Sequence, residues 1–199
     1  MSDKFQKLID FFSRLPGIGP RQATRLVLAM LNWQDQKLHD FAESIDSLKN
    51  GFLFCERCYN LSDSSLCGIC SNPKRNAKLI AVVEKITDLV TMEKTGAFDG
   101  IYHVLGGVIN TSDGVVADNL RISELVSRIK KMIENNVSNI EVILATSPTT
   151  HGDTTALYIE EELRPFGIKI TRLARGLSSG SSLEYIDETT LSNALKNRK

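Results

Sequence analysis

The sequence predicts an α/β protein that carries a separate helical segment at its N-terminus. Three observations support this. From residue 79 onward, short apolar runs alternate with helical patterns. Residues 1–50 keep helical periodicity throughout, and all four cysteines fall within residues 55–70. Strand–helix alternation argues for a parallel sheet covered by helices on both faces. The cysteine-bearing stretch between the two textures is too short for a core of its own.

The N-terminal segment reads as three helices. In KFQKLIDFFSRL, Phe5, Leu8, Ile9, Phe12 and Leu15 recur at helical spacing and define an inward stripe. After a turn at Gly17–Gly19, Pro20 suits the first position of a second helix, whose stripe is Ala23, Leu26, Val27, Met30 and Leu31. A third helix is expected from Asp35, with Leu38, Phe41, Ala42, Ile45 and Leu48 inward and Gly51 as its stop.

In the α/β segment LIAVVE is expected as a buried strand and TDLVTMEKTG as the helix after it. IYHVLGG follows as a second strand, then RISELVSRIKKMIENN as a helix burying Ile122, Leu125, Val126, Ile129 and Ile133. EVILAT, TTALYIEEELRPFG and IKITRLA complete the pattern as strand, helix and strand. No internal repeat is present.

The chain has 199 residues, 42% of them hydrophobic, enough for one large domain or two to three small ones with a real core. Its 24 basic and 24 acidic residues exclude a globally electrostatic nucleic-acid binder, so any such contact must rest on local patches. No apolar run approaches the ~20 residues of a membrane span. MSDKFQKLID lacks the long apolar stretch of a signal peptide, and a cytoplasmic location is expected.

The cysteines form C-x2-C-x8-C-x2-C: Cys55, Cys58, Cys67 and Cys70. Each C-x2-C pair can aim two sulfurs at one centre, and two pairs complete a tetrahedral thiolate cage of the kind that holds structural zinc. An iron–sulfur cluster is the other occupant of such a cage, and four reduced core cysteines are the reading without metal. A closed four-thiolate site has no open position, so one structural Zn²⁺ per chain is expected.

RLPGIGPRQATRL, residues 14–26, is a glycine turn leading into a helix. It lacks the lysine of a P-loop, and the stretch before it is helical where a dinucleotide-binding fingerprint needs a strand. Helix, L-P-G-I-G-P hairpin and second helix together resemble the helix-hairpin-helix unit, which presents backbone N–H groups to a DNA phosphate. The physics agrees. Gly17 and Gly19 let the backbone approach closely, a helix N-terminus attracts anions, and Arg21 and Arg25 lie four apart on one helical face. Contacts of this kind carry no base information. The competing reading is a tight inter-helical turn with solvated arginines, and Ile18 at its tip reads as a packing anchor.

LIAVVE ends in Glu84, with Asp88 opening the next helix, and this resembles the first motif of the Toprim domain of topoisomerases and primases. Carboxylates at strand ends hold Mg²⁺ in that domain. The second motif, an Asp-x-Asp pair, is replaced here by His151 and Asp153, which leaves Glu84 and Asp153 as a thin acidic face for Mg²⁺ or a partner. Metal-dependent catalysis is therefore not expected. LEYIDE faintly resembles the acidic strand end that accompanies a P-loop, but without a P-loop it reads as structural or oligomer-forming.

In order along nearly the whole chain, these motifs resemble the RecR family of bacterial recombination mediators. The carriers are LPGIGPRQATRL, the cysteine cluster followed by SNPKR, VVEKITDLVTME, GIYHVLGGVI, EVILATSPTTHGDTTALYI and GIKITRLARGL with LEYIDETTL. The resemblance implies a helix-hairpin-helix unit over 1–52, a four-cysteine zinc module over 53–76, a Toprim-like domain over 78–173 and a C-terminal oligomerisation segment over 174–199. It implies a non-enzymatic, nucleoid-associated DNA clamp, a homo-oligomeric dimer or tetramer ring. With RecO, and in many bacteria RecF, this clamp loads RecA on strands coated by single-strand-binding protein. Arg21 and Arg25 match the family's DNA-contacting positions, and Cys55, Cys58, Cys67 and Cys70 its zinc ligands.

Three stretches depart from the family pattern. NTSDGVVADNL (110–120) lacks the usual prolines. HGD (151–153) stands for E-G-E, which removes a carboxylate at His151 and weakens the carry-over of any Mg²⁺ or RecO role. SSGSS (178–182) is a more flexible version of Pro-x-Gly-Gly. A Mg²⁺-dependent Toprim nuclease or primase-like enzyme, and a zinc-bearing adaptor without DNA contact, are the alternatives to the mediator.

Overall fold

The computed structural model describes residues 2–49, 51–177, 180 and 182–198, in two compact units, Met1–Gly51 and Phe52–Lys199. The first contains α1 (Asp3–Ser13), α2 (Pro20–Met30) and α3 (Asp35–Asp46). Ile9, Ala23 and Val27 are buried where α1 meets α2, with Phe5, Phe12 and Ile18 packed around them. The remaining stripe positions fare differently. Leu8, Leu15 and Leu31 are exposed. No residue of α3 is buried, and Leu38, Ala42, Ile45 and Leu48 all lie at the surface. Phe41 is half-buried with its ring 5.6 Å from Trp33. Periodicity marks which face is apolar, but three short helices supply too little surface to cover every such face.

The second unit opens with a two-stranded antiparallel hairpin, β1 (Leu53–Phe54) and β2 (Leu61–Ser62). Four parallel strands follow: β3 (Asn76–Val83), β4 (Gly100–Val104), β5 (Glu141–Leu144) and β6 (Lys169–Arg172), in the order β4-β3-β5-β6. The intervening helices are α4 (Ile86–Lys94), α5 (Ile122–Glu134) and α6 (Thr150–Leu163), and α7 (Glu188–Lys196) closes the chain.

Alternation along β3 divides the core between the two faces of the sheet. Ile80 and Val82 pack with Leu125 and Ile129 of α5 and with Ile159 and Leu163 of α6. Ala81 and Val83 point the other way, toward Leu89 of α4 and Tyr102. Of the inward set expected on α5, Ile122, Leu125 and Ile129 are buried, whereas Val126 is half-buried and Ile133 exposed.

Local chemistry sets the helix starts. The Asp88 carboxylate accepts the Lys85 N–H at 2.9 Å, and the Thr149 hydroxyl accepts the Gly152 N–H at 3.1 Å. Asp187 of LEYIDE accepts the Thr190 N–H at 2.8 Å, so this acidic residue caps α7 and does not end a strand. The loop over 110–120 is laced without proline: Asn110 and Val115 bridge each other, and Gly114 takes φ 74°. In 178–182, Ser178, Ser179 and Ser181 lie outside the described residues.

Candidate nucleic-acid interface and metal centre

In the helical unit the hairpin is built from its glycines. Gly17 sits at φ 79°, a conformation that other residues adopt only with strain. Ile18 donates its N–H to Leu15 at 3.1 Å and turns its side chain toward the Ile9–Val27 core, the anchor role expected for it. Gly19 is extended (φ −85°, ψ 169°), and a Cβ there would meet nothing within 4 Å. Neither its conformation nor its neighbours require glycine.

Pro20 follows at the first position of α2, where its missing N–H costs nothing. No side chain caps this helix start. The first turn therefore presents N–H groups and the positive end of the helix dipole outward. Arg21 and Arg25 are both exposed, and neither forms an ion pair among the described residues.

The four cysteine sulfurs gather at one point. Cys55, Cys58, Cys67 and Cys70 are all buried, and their Sγ atoms lie within 4.8 Å of one another. The Cys58 and Cys67 sulfurs are 3.5 Å apart. A tetrahedral zinc thiolate, with Zn–S bonds of about 2.3 Å, needs sulfurs about 3.8 Å apart, so the donor set fits in both chemistry and size. Burial works against a charged Cys55, but N–H groups of Cys67, Arg57 and Cys58 outweigh it and bring that thiol down to about 7. Cys58 is pushed strongly up, first by its bond to the Cys70 sulfur and then by burial. Sulfurs crowded in this way share one site as thiolates when a cation lies between them. Among the described residues this is the one set of three or more His, Cys, Asp or Glu side chains placed to hold an ion.

The acidic face lies elsewhere, at the carboxyl end of the sheet. β3 leads to β4 on one side and the chain then crosses to β5 on the other, so Glu84, the residue after β3, stands at the switch point where open α/β sheets place their ligands. Glu84 is buried, and its Oε1 accepts the Ser147 N–H at 2.5 Å. Gly152 closes over it. A Cβ at that position would stand 2.1 Å from the Ser147 carbonyl oxygen and 3.1 Å from Glu84 Oε1. Asp153 is gripped by two arginines, Arg172 at 2.6 Å and Arg175 through both oxygens. The Arg175 contact holds its carboxyl below the usual range against a burial effect, and Arg172 adds to it. His151 is exposed and joins neither carboxylate in such a set.

Periodicity and motif left other residues unseen. Arg172 and Arg175, the partners of Asp153, carry no local signal. Arg128 had one: a cation three residues after Leu125 and next to Ile129 lies at the margin of the buried stripe of α5. His103 is buried on β4, its Nε2 2.7 Å from the Arg121 carbonyl, and burial pushes it down to about 4.

A helical hairpin, a four-cysteine knuckle and a Toprim-type sheet in one chain define a modular protein of nucleic-acid metabolism. The family matches follow the same order along the chain. The RecR helix-hairpin-helix family matches residues 5–49, the RecR four-cysteine zinc finger domain 54–72, the Toprim domain 78–174 and the RecR C-terminal region 176–199. The chain is 46% identical to the Recombination protein RecR of Herpetosiphon aurantiacus, over 97% of this chain and 92% of that one. It is 45% identical to that of Dehalococcoides mccartyi, with the same coverage, and 42% identical to that of Chloroherpeton thalassium, over 99% and 97%. The chain belongs to the RecR family of recombination proteins. Among the described residues no helix is long and apolar enough to cross a membrane.

Proposed function

We propose that this chain is a non-catalytic, sequence-independent DNA-binding mediator of recombinational repair that works as an oligomeric clamp. In the cytoplasm, with RecO and where present RecF, it helps load RecA onto DNA coated by single-strand-binding protein. The observation that carries the reading is the uncapped start of α2, where two exposed arginines form no ion pair among the described residues. Gly19 supports it, because a glycine demanded by neither conformation nor neighbours is one that an approaching phosphate backbone would require. Gly17 shapes the turn, and Arg21 and Arg25 supply the charge for single- or double-stranded DNA.

One hairpin with two arginines makes a weak contact, since non-specific affinity follows the number of phosphates neutralised. Several copies around one DNA multiply it through effective concentration. The exposed apolar residues of the helical unit, including Phe11, Leu15 and Leu31, support such assembly into a dimer or tetramer ring. Cys55, Cys58, Cys67 and Cys70 would hold one structural Zn²⁺. When bound, that ion crosslinks the knuckle, while the chain's backbone N–H groups orient the sulfurs. Glu84 and Asp153 act as structural groups, since each already has internal partners.

The test is Arg21→Ala with Arg25→Ala. DNA binding should weaken to the same degree for all sequences, and the slope of log affinity against log salt should shrink by about one unit for each phosphate no longer neutralised. An unchanged slope overturns the assigned roles of both arginines. The enzymatic alternative is decided by a Mg²⁺-supplemented cleavage and synthesis assay, where activity abolished by Glu84→Ala would replace the mediator reading.

A further inference from the structure

The knuckle does not stand apart from the α/β unit. The Cys58 carbonyl accepts the Val104 N–H at 2.9 Å, which extends the hydrogen bonding of the edge strand β4 onto the cysteine turn. Ile69, between the second pair of cysteines, packs against the clusters on both faces of the sheet. The guanidinium of Arg128 reaches in from α5. Its Nη1 donates to the carbonyl of Arg57, inside the first C-x2-C turn, at 3.1 Å, and to the Tyr102 carbonyl on β4 at 2.8 Å. Its Nη2 is buried without a hydrogen-bond partner among the described residues. No carboxylate pairs with it among those residues either.

Arg128 as a whole is half-buried, but its Nη2 is shut away without a partner among the described residues, and an unpaired cationic group in such a place is favoured by negative charge nearby. The carbonyl that Arg128 grips belongs to Arg57, between Cys55 and Cys58, so the thiolates are the anionic groups of the turn it holds. Four thiolates around a divalent cation retain a double negative charge, so the two groups answer each other's deficit.

We propose that Arg128 is the charge partner of the four-thiolate site, a positioning residue that joins the bound ion to β4 and α5 of the Toprim-type domain. The proposal rests on the zinc reading. It makes the metal centre part of the larger domain's electrostatics as well as a local crosslink.

The test uses the full-length zinc protein, with metal content first measured by elemental analysis. Arg128→Met keeps the length of the side chain and removes charge and donors; Arg128→Lys keeps the charge. Arg128→Met should lose zinc to a competing chelator with an affinity about 10- to 100-fold weaker, and Arg128→Lys should recover part of that loss. In the cobalt(II)-substituted protein, the thiolate-to-metal charge-transfer band should move to longer wavelength in Arg128→Met and stay near its original position in Arg128→Lys. A cation near sulfur stabilises its lone pairs, which packing alone would not do.

A folded Arg128→Met with unchanged zinc affinity and an unmoved band overturns the proposal while leaving the zinc reading intact. Wild-type protein without metal overturns both. If Arg128→Met does not fold, Arg128→Gln, which keeps donors and removes the charge, takes its place: zinc affinity and charge-transfer band both equal to wild type overturn the proposal, and weaker affinity with a band at longer wavelength supports it.

Discussion

In the α/β unit Arg75 is bound by Glu93, Asp153 by Arg172 and Arg175, and Glu141 by Lys169. In the helical unit no ion pair occurs among the described residues, and Arg21 and Arg25 stand at an uncapped helix start. The apolar side chains divide the same way. Ile80, Val82, Leu125, Ile129, Ile159 and Leu163 are buried together on one face of the sheet, whereas among the described residues the helical unit buries only Ile9, Ala23 and Val27. The core of the sheet, where packed apolar side chains and ion pairs answer one another, is a finished scaffold, although the same unit leaves Phe54, Leu183 and Tyr185 exposed at its surface. A unit that leaves both at its surface is organised toward other molecules. The acidic switch point, where the fold most invites catalysis, is on the finished side.

The largest effect expected to test that contrast is loss of the metal. Chelation, or Cys55→Ser, should unfold residues 55–70, since metal-linked folding in comparable small sites is worth on the order of 10 kcal/mol. Hydrogen exchange should rise there and along β4, where Val104 bonds to Cys58, while α1 and α2 keep their wild-type rates. Equal acceleration in both units would erase the distinction between them.

Core truncation comes next. Ile129→Ala removes a fully buried side chain from the main cluster and should cost about 2–5 kcal/mol, read by denaturant unfolding of the α/β unit. Val27→Ala removes fewer atoms from a smaller cluster and should cost less. The reverse order would mean that the helical unit is the better-packed of the two.

The two units also differed in how far they could be read from sequence. Strand–helix alternation gave the parallel sheet because strands buried on both faces, such as β3, appear as uninterrupted apolar runs. The C-x2-C pairs brought four sulfurs together because local spacing already fixes half of that geometry. The stripes of the helical unit were legible as apolar faces, but what covers Leu31 or Ile45 is not a local property. Long-range partnerships were equally hidden. Nothing near Asp153 announces Arg175, 22 residues on, and nothing near Cys58 announces Arg128.

Asp153 offers a smaller effect with a defined sign. Its carboxyl is held below its ordinary 3.8, chiefly by Arg175 against burial and then by Arg172. A depressed carboxylate contributes stability that is present above the unfolded pKa and lost as pH falls through the folded value. The side chain is 35% exposed, so solvent screening keeps the contribution below about 1 kcal/mol. Unfolding of Asp153→Asn and wild type should therefore differ at neutral pH and converge as pH falls well below 4. A gap that persists in acid would assign the effect to shape rather than charge.

The smallest effect bears on the clamp itself. Leu31 is 70% exposed at the end of α2, and a surface Leu→Ala change ordinarily moves stability by no more than about 0.5 kcal/mol. If the uncovered apolar side chains of the helical unit meet other copies, Leu31→Ala should leave dilute-protein stability within that range. It should still lower the mass measured by light scattering at higher concentration and weaken DNA binding in parallel. The coupling is the informative part. Wild-type mass with weakened DNA binding would make Leu31 part of the DNA face. Reduced mass with full DNA affinity would mean that one hairpin suffices, and the neutral net charge of the chain would then place no demand on assembly.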